Sequence, residues 1–176
     1  MYLKSIEGCR LVIGSYPPFN YDASGGGGKA RSITTEKDNV LLLTFEPETF
    51  SIPPLTSQTT KILSIPLPPG LEIKMSMDKL EGTIDKKTGE ISLRFESRFV
   101  FTIISIFRFS DLIVKTILQT GRVKSNLHEE EGIPLQEDGK TTLVGIAIIP
   151  MTGNKILDIF LGLPNEALAV LKCEIK

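Results

Sequence analysis

The chain has no tryptophan, a single histidine and no long run of charges of one sign among its 176 residues. With one imidazole, His128, a two-histidine metal site is excluded, and a catalytic triad or general base has only one candidate. Twenty Lys plus Arg residues face twenty-one Asp plus Glu, for a net charge of -1. The sequence contains no block of charge of one sign that would attract nucleic acid or anionic lipid. We therefore expect no nucleic-acid partner.

Long hydrophobic runs are also missing. The uncharged apolar run "FVFTIISIF" covers nine residues from Phe99 to Phe107, between Arg98 and Arg108. A transmembrane helix needs about 20 apolar residues, which excludes a membrane-spanning segment here. The N-terminal sequence contains no secretory signal, which favours a soluble, cytoplasmic protein whose Cys9 and Cys173 are free thiols.

Short apolar segments bounded by turn residues predict β-strands along most of the chain. The clearest hairpin joins "LEGTID" to the long segment that begins at Ile91, through "DKKTG" at Asp85 to Gly89. Beyond Ile91, apolar and polar residues alternate as far as Arg98, and then both faces become apolar. A strand buried on both faces has this pattern, which predicts a set of core residues: Phe99, Phe101, Ile103, Ile104 and Ile106.

One segment near the C-terminus has helical spacing. Asn154 can cap the start of "NKILDIFLGLP", and Gly162 with Pro164 can end it. By contrast, the β-branched residues of Asp111 to Thr120 favour a strand. The fold class predicted is all-β: an antiparallel β-sandwich or flattened barrel of about nine strands with one short helix near the C-terminus, in a single domain of residues 1–176.

The Gly/Pro-rich stretch 15–39 is predicted to be a long loop, in which Gly25 to Gly28 are mobile and dispensable for folding. "ASGGGGKA", Ala23 to Ala30, lacks the first glycine and the hydroxyl residue of a phosphate-binding loop. No motif predicts a cofactor or a metal ion. The acidic segment "HEEEG", His128 to Gly132, is interpreted as a solvated turn, which would make its histidine a surface residue and not a catalytic one.

The candidate binding residues lie in the same long stretch. They are aromatic and basic side chains of the kind common in contact surfaces: Tyr16, Phe19, Tyr21, Lys29 and Arg31. The alternative is that the aromatic residues pack the loop against the sheet.

Three functions stay open at this level. The favoured hypothesis is a non-catalytic binding or structural interaction module with an unknown protein partner. The second is a carrier of a small apolar ligand in a cavity lined by residues from Phe95 to Phe109, and the third is an enzyme using His128 or a carboxylate pair.

Overall fold

The computed structural model describes residues 1–34 and 39–176. These residues form fifteen strands, one α-helix and a 3-10 turn at Pro47–Thr49. In chain order the elements are β1 (Tyr2–Ser5), β2 (Cys9–Ile13), β3 (Phe19–Tyr21), β4 (Gly27–Thr34), β5 (Val40–Phe45), β6 (Thr60–Ile62), β7 (Ile65–Pro66), β8 (Leu71–Asp85), β9 (Ile91–Ile103), β10 (Phe107–Arg108), β11 (Leu112–Gln119), β12 (Gly121–Lys124), β13 (Glu129–Gly132), β14 (Lys140–Ile149), α1 (Lys155–Leu161) and β15 (Asn165–Ile175).

Eight antiparallel strands form a closed ring in the order β1, β4, β5, β8, β9, β11, β14 and β15, with β15 pairing back onto β1. The short strand β1 closes this ring because Leu3 lies opposite Gly28 on one side and Ile175 on the other. The predicted all-β antiparallel fold with one short C-terminal helix is confirmed, in its barrel form.

The remaining strands extend the ring on one side. β15 is long enough to pair with β1 near its C-terminus and with β2 near its N-terminus, where Ala167 lies opposite Ile13. β3, β6 and β7 continue outward from β2. The β12–β13 hairpin covers the outer face of β14 and β15, where Val123 packs on Val144 and Leu168.

Alternating residues of β9 fill the interior, as the sequence predicts. Its buried residues are Ile91, Leu93, Phe95, Ser97, Phe99 and Phe101. The strand predicted for Asp111 to Thr120 is present as β11, which pairs along its whole length with β9. The interior therefore derives from the period-two pattern of the sequence.

The C-terminal helix also follows its sequence signals. The side chain of Asn154 accepts hydrogen bonds from the backbone N–H groups of Ile156 and Leu157, and Gly162 ends the helix with a left-handed φ of 65°. Within residues 1–34 and 39–176, no helix has the length and apolar character that crossing a membrane requires.

The stretch 15–39 is not a long loop. It contains β3 and β4, although the part of the prediction that concerns residues 35–38 lies outside the described residues. Gly26, Gly27 and Gly28 are buried, and the last two belong to β4. The prediction that Gly25 to Gly28 are mobile was wrong for Gly26, Gly27 and Gly28, because the first two lie against β1 and the third lies against Phe50.

Gly27 allows β4 to approach β1 very closely. Its φ is 137°, a conformation that L-residues rarely adopt, and a Cβ at this position would overlap the carbonyl oxygen of Leu3. At Gly28, a Cβ would lie 2.6 Å from the ring of Phe50. A larger side chain at Gly27 would push β1 and β4 apart and open the ring, and one at Gly28 would displace Phe50.

We therefore expect Gly27→Ala to lower the free energy of unfolding by about 3 kcal/mol or more, because the new methyl group meets backbone that cannot move away. Chemical denaturation measures this change. The matched control is Gly25→Ala, whose φ is 89° but whose Cβ would meet nothing within 4 Å, and which should cost only about 1–2 kcal/mol. Equal losses for both variants would contradict the packing role of Gly27.

Candidate functional site

Several turns and the helix α1 lie at one end of the ring. Because neighbouring strands are antiparallel, β9 and β14 end where β8, β11 and β15 begin. The β6–β7 and β9–β10 turns lie at this end, together with the segment from Met151 to Gly162 that contains α1. We call it the apolar end because of the side chains that it exposes.

Nine large apolar side chains at this end are each between 60% and 80% exposed. They come from three segments that are far apart in the sequence: Leu63 and Ile65; Ile104, Ile106 and Phe107; and Met151, Ile156, Ile159 and Phe160. Single exposed apolar residues are normal on proteins, whereas their concentration at one end of the fold indicates an interaction site. The apolar end is the candidate functional site.

The apolar run from Phe99 to Phe107 is only half buried. Phe99 and Phe101 are 8% and 7% exposed, but Ile104 and Ile106 are 66% and 76% exposed. Ile103, at 38% exposed, marks the boundary. The prediction that Ile103, Ile104 and Ile106 are core residues was wrong, because β9 reaches the end of the ring at Ile103 and the chain then turns at Ile104 and Ser105.

Two hairpin turns at this end have almost the same sequence. They are "ILSI", Ile62 to Ile65, and "IISI", Ile103 to Ile106. The two central residues of each turn have left-handed φ values of 50° and 68° in the first turn and 53° and 57° in the second. Such turns favour Asn-Gly, whereas a leucine or β-branched isoleucine in this conformation costs about 1–2 kcal/mol.

The helix α1 is firmly attached below its exposed face. Leu157 and Leu161 are buried, whereas Ile156, Ile159 and Phe160 point outward. The buried Asp158 carboxylate accepts hydrogen bonds from the hydroxyl and the backbone N–H of Thr152, at 2.7 and 2.8 Å. These bonds satisfy the carboxylate within the protein, and they hold the pKa of Asp158 below its usual value.

The predicted contact residues are distributed over the molecule. Tyr16 lies at the apolar end, with its ring centroid 6.4 Å from that of Phe160 and its hydroxyl donating to the Phe160 carbonyl. Phe19 lies opposite Ile62, next to the first hairpin turn. Lys29 lies opposite Tyr2 towards the other end of the ring, and Arg31 forms an ion pair with Glu46. The structure does not bring the basic residues to the aromatic ones.

Tyr21 lines an apolar cavity of about 70 Å³ inside the fold, together with Cys9, Phe50, Phe95 and Phe99. Burial raises the pKa of the Tyr21 hydroxyl. A smaller cavity of about 20 Å³ is lined by three of the same residues, Leu11, Phe99 and Ala169, and by residues nearer the apolar end.

His128 is not on a solvated turn. It is 9% exposed, and the Glu129–Gly132 segment that was expected to be a turn is strand β13. Its backbone N–H donates to the Ser125 hydroxyl at 3.1 Å, and that hydroxyl donates to the Glu166 carboxylate. Since the serine donates to Glu166 and not to the imidazole, these contacts attach the β12–β13 hairpin to β15. Among the described residues no group of three or more metal-binding side chains occurs.

No protein-family model, curated protein or solved structure matches this chain. The function is therefore argued from the residues of the apolar end and the interior. The apolar end could not be recognised from the sequence because its members lie in three separate segments. The repeated I-[LI]-S-I pattern was the one local signal that could have shown it.

The boundary between buried and exposed residues in the run from Phe99 to Phe107 leads to a testable prediction. Phe101→Ala should lower the free energy of unfolding by about 3–5 kcal/mol, because it removes a buried aromatic ring. Ile106→Ala, five residues further along the same apolar run, should change it by less than about 0.5 kcal/mol. Urea denaturation of both variants measures these changes, and a large loss for Ile106→Ala would place that side chain in the core.

The two cysteines give a second prediction, since both are free and buried. Burial raises the pKa of Cys9, and it raises the pKa of Cys173 to about 12. At pH 8 their reaction with a thiol reagent should be more than about a hundredfold slower in the native than in the denatured protein. Titration should count two thiols after denaturation. Rapid reaction of the native protein would contradict the burial of both thiols.

Proposed function

We propose that this protein is a non-catalytic attachment module that docks onto the surface of a lipid bilayer through its apolar end. The observation that carries the proposal is the exposure of nine large apolar side chains on two hairpin turns and one helix at the same end of a closed ring. The proposal keeps the non-catalytic interaction module favoured from the sequence and assigns it a lipid bilayer in place of a protein partner.

The chemistry of these side chains suits a bilayer. Leucine, isoleucine, phenylalanine and methionine need no hydrogen-bonding partner, and each contributes about 1.5–3 kcal/mol when it is fully removed from water. The side chains project from separate turns and a short helix, and a fluid bilayer accommodates separate projections without a matching surface. A protein interface of similar strength needs shape complementarity over about 800 Å² on each partner.

The internal cavity supports a second candidate function, the carrier of a small apolar ligand. Its lining is almost entirely apolar and includes four aromatic rings, Tyr21, Phe50, Phe95 and Phe99. Its volume of about 70 Å³ is well below the roughly 300–1,000 Å³ typical of ligand pockets. The carrier ranks second because the ring would have to expand to admit a ligand of ordinary size.

The absence of tryptophan makes the proposal easy to test, because one introduced tryptophan reports its own environment. In Phe107→Trp, addition of phospholipid vesicles should shift the emission to shorter wavelength, since the indole leaves water at the bilayer surface. Brominated lipids should then quench it.

The matched control is Leu42→Trp, which places the indole on an exposed position of β5 outside the apolar end. Its emission should not change with vesicles. The proposal fails when folded Phe107→Trp protein shows no shift and no co-sedimentation with vesicles of any composition. Equal shifts at both positions would mean binding without the proposed orientation.

A further inference from the structure

The two I-[LI]-S-I turns combine two features that protein sequences normally avoid. Leu63 and Ile104 occupy left-handed positions, which favour glycine and asparagine, and both side chains are more than 60% exposed. The preferred Asn-Gly pair would relieve the backbone strain and also remove an apolar side chain from the surface. Neither folding nor solubility explains these residues.

The second turn is braced by a neighbouring loop, and the first turn is closed by the pairing of β6 with β7. The backbone N–H of Ile104 donates to the Gly70 carbonyl at 2.7 Å, and Phe107 lies opposite Ile103 across the hairpin. In the first turn, Ile62 lies opposite Ile65 and Lys61 lies opposite Pro66. A strained conformation persists where the surrounding structure enforces it, and such positions concentrate at functional sites.

Two lysines stand beside these apolar residues. Lys61 immediately precedes the first turn, and Lys155 is the first residue of α1. Both are exposed, and neither forms an ion pair within the part of the chain that the structure describes. The nearby Arg108 is already paired with Asp111 at 2.9 Å, and Asp158 is turned inward to Thr152.

We infer that the two turns are paired insertion tips, and that Lys61 and Lys155 direct them to bilayers that contain anionic phospholipids. This inference rests on the proposed function and adds the inserting residues and the lipid class. Leu63 and Ile104 enter the boundary between headgroups and acyl chains, and the ammonium groups remain at the level of the lipid phosphates. The charge of the lysines complements the negative surface of such a membrane.

The first experiment replaces both tips by the turn residues that the backbone prefers. The double variants are Leu63→Asn with Ser64→Gly, and Ile104→Asn with Ser105→Gly. Because Asn-Gly suits two left-handed positions, the melting temperature should stay equal or rise. Affinity for vesicles containing about 30% phosphatidylserine should fall at least about tenfold for each tip, since an inserted apolar side chain is lost.

The matched control is Ile33→Thr with Leu42→Thr. These two exposed apolar residues lie opposite each other on β4 and β5, outside the apolar end. The control changes two exposed apolar side chains, where each tip variant changes one, and its vesicle affinity should equal that of the unmodified protein. A similar loss in the control would overturn the assignment of the tips.

The second experiment tests the lysines by Lys61→Gln with Lys155→Gln. Binding to the same anionic vesicles should weaken about fivefold per lysine, and binding to phosphatidylcholine vesicles should not change. Lys86→Gln with Lys87→Gln is the control, because these exposed lysines follow β8 at the opposite end of the ring. Equal effects of the two pairs would overturn lipid selection by Lys61 and Lys155.

The outcomes separate the two proposals. If the unmodified protein binds no vesicle, the proposed function fails and this inference fails with it. If the protein binds vesicles but the tip variants bind equally well, the proposed function stands and the inference fails. If sedimentation shows a dimer that the tip variants abolish, and no vesicle is bound, the tips serve a second copy of the chain and both proposals are overturned.

Discussion

The closure of the ring by β1 is the contact on which the rest of the structure depends. This strand has only four residues, yet it pairs with β4 on one side and with β15 on the other. It succeeds because Gly27 and Gly28 let β4 lie directly against it and Phe50. An open sheet would have two edges with unpaired backbone groups, whereas pairing β15 to β1 joins the two sides of the sheet.

Closure of the ring also determines which side chains are exposed at its two ends. In a closed antiparallel ring the turns must collect at the two ends, so residues distant in sequence become neighbours. Lys61 and Lys155 belong to different segments, and their charges are invisible to any search for basic runs. The apolar turns after β6 and β9 meet at the same end for the same reason. The candidate site is therefore a product of the topology.

The sequence predicted what depends on local periodicity and capping. The alternation after Ile91 identified the inward face of β9, and Asn154 with Gly162 identified the helix. Prediction from the sequence failed where the structural role of a residue depends on a partner that is distant in the sequence. Glycines beside β1 resemble a flexible linker when the facing strand is unknown, and Ile104 resembles Phe101 because hydrophobicity alone does not say where the ring ends. Leucine and isoleucine also gave no sign of left-handed turns.

The failure at Ile104 is informative about the site. An apolar run that continues beyond the core normally ends in polar turn residues, because exposed apolar side chains at a tip bring no folding benefit. Here the run continues through a left-handed turn that is braced by the Gly70 carbonyl, so the exposed side chains are held in place. Leu63 likewise occupies an exposed left-handed turn, which the pairing of β6 with β7 closes. A docking surface built in this way is complete before its partner arrives, and binding then requires no reordering of the turns.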